Sequence, residues 1–86
     1  MDPTLTIKQF IVEEFLPDVS PDQLDSDYDL LANGVIDSLG LLKMIAWIED
    51  RFQLAVDDLD LAPERFSTVD EIRLLIADAM SQRGSK

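Results

Sequence analysis

The chain has 86 residues, 47% of them hydrophobic and 29% charged, which describes one small globular domain with a modest core and excludes a disordered or fibrous chain. It has no Cys and no His, so thiolate and imidazole metal sites, disulfides, a Cys nucleophile and any triad with an imidazole base are closed to it. Eighteen acidic residues against seven basic ones leave a net charge of -11, the wrong sign for a nucleic-acid or anionic-membrane binder and the right one for partners with basic surfaces.

In chain order, Ile7, Phe10, Ile11 and Phe15 recur at helical spacing and predict a first amphipathic helix over 6–16. Thr6 with Gln9 reads as a capping box, while Asp2-Pro3 offers a competing start because Pro suits the first helical position. Pro17 ends this helix.

Residues 17–37 form a long connection rich in turn chemistry: Ser20-Pro21, five Asp before Leu30, and Asn33-Gly34. A connection of this length inside a compact domain calls for pinning. Leu24, Tyr28, Leu30, Leu31, Val35 and Ile36 are the residues expected to pin it, with a short helical turn at 20–24.

From Ser38, a second helix is predicted to about Phe52, with Leu41, Met44, Ile45, Ile48 and Phe52 facing the core and Asp37 or Ser38 as its cap. Over 54–66, Val56, Leu59, Leu61 and Phe66 suggest one short helical turn broken by Pro63. Thr68-Val-Asp-Glu71 is a capping box that opens a last long helix with Val69, Ile72, Leu75, Ile76 and Ala79 on one face. The polar stretch 81–86 reads as a frayed tail. The expected fold is therefore all-α, a small four-helix bundle of three long helices and one short, with a long first loop. One domain spans 1–86, with its core at about 5–80.

Three features invite a functional reading. Asp25-Ser-Asp27-Tyr-Asp29 opens like a calcium loop, but Leu30 stands where the loop needs Gly and Ile36 where it needs a bidentate acid, so a solvated acidic loop is the expectation and no metal site is assigned. Leu39, Leu42 and Ala46 make a second apolar stripe on the Ser38 helix, read either as a wider buried face or as a docking surface. Trp47 reads as core or partial cover. Ser38 places a hydroxyl where the acidic loop meets a helix start, beside the positive end of the helix, which suits either an N-cap or a phosphodiester. With no base in the chain to activate it, that hydroxyl is suited to modification by another enzyme.

Asp37-Ser38-Leu39 after a long loop, the following Glu49-Asp50-Arg51-Phe52, the Phe66-Ser-Thr-Val-Asp-Glu-Ile72 lead into the last helix and the acidic charge together resemble an acyl or peptidyl carrier protein over residues 5–80. The resemblance implies that Ser38, flanked by Asp37 and Leu39, bears 4′-phosphopantetheine. A separate phosphopantetheinyl transferase would deliver it from coenzyme A with magnesium, and cargo would ride as a thioester on its terminal thiol. It implies a shuttle, not an enzyme.

Fatty-acid carriers usually hold acids where this chain has Gly40 and Lys43, on the face that partners read. Asp37-Ser38-Leu39-Gly40 looks closer to aminoacyl or peptidyl carriers of natural-product pathways, with D-alanyl and fatty-acid carriers as alternatives. An acidic helical interaction module without a prosthetic group is the alternative of another class.

Adenylating or acyl-transferring enzymes with basic surfaces are the expected partners, docking on Leu39, Leu42, Lys43, Ala46, Glu49 and Asp50, with Lys43 rejecting enzymes built for an acid there. No apolar run approaches the roughly 20 residues of a membrane span, and Met1-Asp2-Pro3 begins no recognisable targeting peptide. A cytoplasmic, monomeric, stand-alone protein is expected.

Overall fold

The computed structural model describes residues 2–55, 57, 59 and 61–84, with side chains through residue 81. Among these residues run the α-helices α1 (Thr4–Phe15), α2 (Ser38–Phe52) and α3 (Val69–Gly84), with 3₁₀ turns at Pro21–Gln23 and Pro63–Phe66 in the connections. No strand occurs among the described residues. Of the short helix expected over 54–66, the described residues show a four-residue 3₁₀ turn at Pro63–Phe66, and residues 56, 58 and 60 of that expectation lie outside the described residues. Pro63 opens that turn, because proline's fixed φ suits a first helical position, where no N–H is needed. Val56 lies outside the described residues; Leu59 and Phe66 are buried and Leu61 is exposed.

α1 starts at the earlier of its two expected sites. The backbone N–H and the hydroxyl of Thr4 both donate to Asp2 Oδ1, while Thr6 and Gln9 lie inside the helix and form no capping box. The hydrogen bonds from Thr4 hold the Asp2 carboxyl below its ordinary pKa. Ile7, Ile11 and Val12 are the buried residues of α1, and Phe10 and Phe15 pack at the edge of the core.

The long connection is pinned by side chains and by backbone. Leu24, Leu30 and Ile36 are buried, Leu31 and Val35 are partly so, and Tyr28 is exposed instead of pinning. The Leu30 N–H donates to the Ser67 carbonyl at 2.7 Å, and the Asp70 N–H to the Ser26 carbonyl at 3.0 Å, so this segment is laced to the start of α3. Gly34 turns the chain with φ +72°, in the left-handed region open to glycine. These bonds satisfy main-chain groups that a structureless loop over the core would leave without partners.

α3 begins with the Thr68 half of the expected capping box, the Glu71 N–H donating to Thr68 Oγ1 at 3.0 Å. Val69, Ile72, Leu75, Ile76 and Ala79 are all buried, the face expected from their spacing. Its helical backbone continues through Gly84, beyond the Ser81 where fraying is expected. Arg65 ties the second 3₁₀ turn to α3 through Asp78 at 3.0 Å.

Candidate functional site

The site is the entry to α2. Asp37 is in extended conformation and its Oδ1 accepts from the Gly40 N–H at 2.7 Å, so Asp37 is the cap and Ser38 is the first helical residue. The choice follows from reach: a cap side chain must fold back onto N–H groups two or three residues ahead, from a residue that is itself outside the helix. Ser38 is exposed, and among the described residues no side-chain hydrogen bond engages its hydroxyl. It stands at the end of α2 where helical N–H groups point outward and favour an oxygen anion.

The core face of α2 is Gly40, Met44, Ile48 and Phe52, four apart and therefore one stripe. Leu41 and Ile45, expected within the core, are only partly buried, because the face is centred on the 40–44–48–52 row and they fall on its edge. Gly40 is a second correction: it is buried, with Phe15 of α1 close to it, and does not share the exposed side with Lys43. A Cβ at 40 would stand 3.0 Å from Phe15 Cε1 and 3.3 Å from Asp37 Oδ1, so any larger residue here would have to push the Phe15 ring aside.

On the opposite side the second apolar stripe is open to solvent. Leu39 is 66% exposed and Leu42 63%, and Ala46 is exposed with them. Lys43 and Asp50 flank this stripe and are exposed, whereas Glu49 is half-buried. Lys43 reaches back to α1, its Nζ 3.9 Å from Glu14 Oε2. Glu14 and Phe15 therefore border the first turns of α2, which no local pattern signals because the contact joins two helices far apart in sequence.

The acidic stretch at 25–29 does different work. Asp29 Oδ1 accepts from the Ala32 N–H at 2.8 Å, and the Asp29 carbonyl accepts from Asn33 Nδ2 at 2.8 Å. Asp29 thereby organises the turn that leads to Gly34. Among the described residues no three carboxylates gather to hold a metal ion.

A family model described as the phosphopantetheine attachment site matches residues 9–76. The chain belongs to this family of phosphopantetheine carrier proteins. Among its relatives are the D-alanyl carrier proteins of Streptococcus suis (strain 98HAH33), 38% identical over 72 residues covering 84% of this carrier and 87% of that protein, and of Streptococcus sanguinis (strain SK36), 33% identical over the same shares. Among solved structures, apo KstB-PCP superposes with a TM-score of 0.82 at 54% identity, covering 93% of this carrier and 88% of that chain. The solution structure of KstB-PCP in kosinostatin biosynthesis gives 0.63 at 60% identity, over 84% and 81% of the two chains. The carrier's prosthetic group is 4′-phosphopantetheine, whose terminal thiol holds cargo as a thioester. The family is one of carriers.

Proposed function

We propose that Ser38 is the attachment residue and that this chain carries aminoacyl or peptidyl cargo in a natural-product pathway. The observation that carries the reading is the Ser38 hydroxyl itself. It is exposed at the first helical position and relieved of capping by Asp37, so the acidic-module alternative, in which Ser38 serves only as a cap, loses its role for that residue.

The chemistry follows from what the chain lacks. Joining Ser38 Oγ to the phosphorus of the phosphopantetheine moiety breaks the phosphoanhydride of coenzyme A, releases adenosine 3′,5′-bisphosphate and sends the hydroxyl proton to a base. No imidazole is present to take it and the neighbouring Asp37 carboxylate is engaged by the Gly40 N–H, so the base and the magnesium are assigned to the transferase. Asp37 holds the turn that presents the hydroxyl, and Leu39 begins the exposed stripe beside it. Leu39, Leu42 and Ala46 then offer apolar contact to loading enzymes, with Asp50 and Glu49 meeting their basic residues and Lys43 discriminating among them. Sequence shared with KstB-PCP, greater than that shared with the D-alanyl carriers, favours the natural-product assignment. Among the described residues no helix is long and apolar enough to cross a membrane, and a cytoplasmic monomer with access to coenzyme A completes the proposal.

Intact mass after incubation with coenzyme A, magnesium and a broad-specificity phosphopantetheinyl transferase tests it. One added phosphopantetheine is expected on the wild type and none on Ser38→Ala; an unchanged wild-type mass sinks the reading. Loading the product with adenylating enzymes of different amino-acid specificity, a D-alanine-activating one among them, separates the subclasses.

A further inference from the structure

The end of α1, the end of the long connection and the first turn of α2 meet around a depression of about 200 Å³, lined by Phe15, Val35, Asp37, Leu39, Gly40 and Lys43. Small-molecule sites run from about 300 to 1,000 Å³, so this space suits a single side chain better than a whole ligand. Its lining joins the apolar Phe15, Val35 and Leu39 to one carboxylate and one ammonium group. The missing Cβ of Gly40 lets the Phe15 ring lie close against the turn, and Glu14 lies 3.9 Å from Lys43, one of the lining residues.

We propose that this depression is a socket for one apolar side chain of the phosphopantetheinyl transferase, and that Glu14 pairs there with a basic residue of that enzyme. The proposal rests on the reading of Ser38 as the attachment residue. An enzyme that brings the phosphoanhydride of coenzyme A to Ser38 Oγ has to cover the residues on either side, and both Asp37 and Leu39 line the socket. Charge gives the partner's sign: the carrier is at -11, and Asp37 of the lining and Glu14 beside Lys43 are exposed. Glu14 and Lys43 are both well exposed, and ion pairs of that kind are held weakly, so Glu14 exchanges Lys43 for a transferase cation at little cost. Recognition then extends to α1, a helix outside the α2 stripe.

The experiment measures initial rates of transfer from coenzyme A by a broad-specificity phosphopantetheinyl transferase, with intact mass as the endpoint. Val35→Phe fills the socket, Glu14→Gln removes the charge beside Lys43, and Ser38→Ala is the control. Val35→Phe is expected to raise KM about tenfold and Glu14→Gln about threefold, with kcat within about twofold and full modification at the endpoint, the signature of lost ground-state binding. The Glu14→Gln effect should vanish at about 0.5 M salt, while that of Val35→Phe persists. Should Val35→Phe unfold in a melting scan, Glu14→Gln at its exposed position decides alone. Wild-type KM for the folded variants, with Ser38→Ala unmodified, overturns the socket and leaves the Ser38 reading standing; a wild type that gains no mass overturns both.

Discussion

Trp47 of α2 lies flat against Phe10 of α1, ring centroids 4.4 Å apart and planes 13° from parallel. Phe52 and Trp47 meet in a T-shaped pair at 5.6 Å, and Phe15 and Phe10 in another at 6.1 Å. The four rings seam α1 to α2 along the flank of the site helix. Trp47 is only half-buried, so Trp47→Ala is expected to destabilise by about 2 to 3 kcal/mol, below the range for a fully buried ring. Urea unfolding followed by circular dichroism measures it, and a loss under about 0.5 kcal/mol would show the seam to be ornamental.

The division of labour between Asp37 and Ser38 separates stability from modification. Asp37→Ala removes the 2.7 Å bond to the Gly40 N–H and should cost about 1 kcal/mol. Ser38→Ala should leave the midpoint of unfolding within about 0.5 kcal/mol of wild type while abolishing attachment. Equal losses for the two variants would show the hydroxyl to share the cap.

At Gly40, two effects compete. Alanine gains up to about 1 kcal/mol in helix propensity, but its Cβ meets Phe15 at 3.0 Å and the capping carboxylate at 3.3 Å. Overpacking against a ring and a fixed cap wins, and Gly40→Ala is expected to lose about 1 kcal/mol net. Phe15→Leu in the same chain should recover part of that loss, a coupling that a double-mutant cycle reads directly.

Leu42, at 63% exposure, gives the docking stripe its test. Leu42→Asp should slow loading by an adenylating enzyme while shifting stability by no more than about 0.5 kcal/mol. A drop of about 2 to 5 kcal/mol, as for a lost core leucine, would place the residue in the interior and the docking face elsewhere. Lys43→Glu should move preference toward enzymes built to read an acid there.

Between Lys8 and Lys43 the chain has no basic residue but eight acids, Glu13, Glu14, Asp18, Asp22, Asp25, Asp27, Asp29 and Asp37. Their mutual repulsion weakens the compact state when screening is low. Raising salt from about 0.01 to 0.15 M shortens the Debye length from about 30 to 8 Å, and the melting temperature should rise with it. A melting temperature indifferent to salt would mean that pairs such as Glu14–Lys43 compensate these acids.

Periodicity and punctuation are local properties, and what depends on them was legible in the residues alone. The span of α2, the buried face of α3, the Thr68 cap and the ordered character of the long connection all follow from spacing, caps and turn residues a few positions apart. The position of Ser38 at a loop-to-helix junction is legible for the same reason. Distances between elements are another matter. That Phe15 covers Gly40, that Glu14 reaches Lys43, and that Ser26 and Leu30 bond to Asp70 and Ser67 depend on how α1 and α3 pack against the loop and α2. So does the rotation of α2 that leaves Leu41 and Ile45 at the edge of the core and Leu39 and Leu42 in water. A helical repeat shows that a face is apolar, but which of two adjacent apolar stripes is buried is settled by the helices packed against it, whose identity is a long-range fact that no window of neighbouring residues contains.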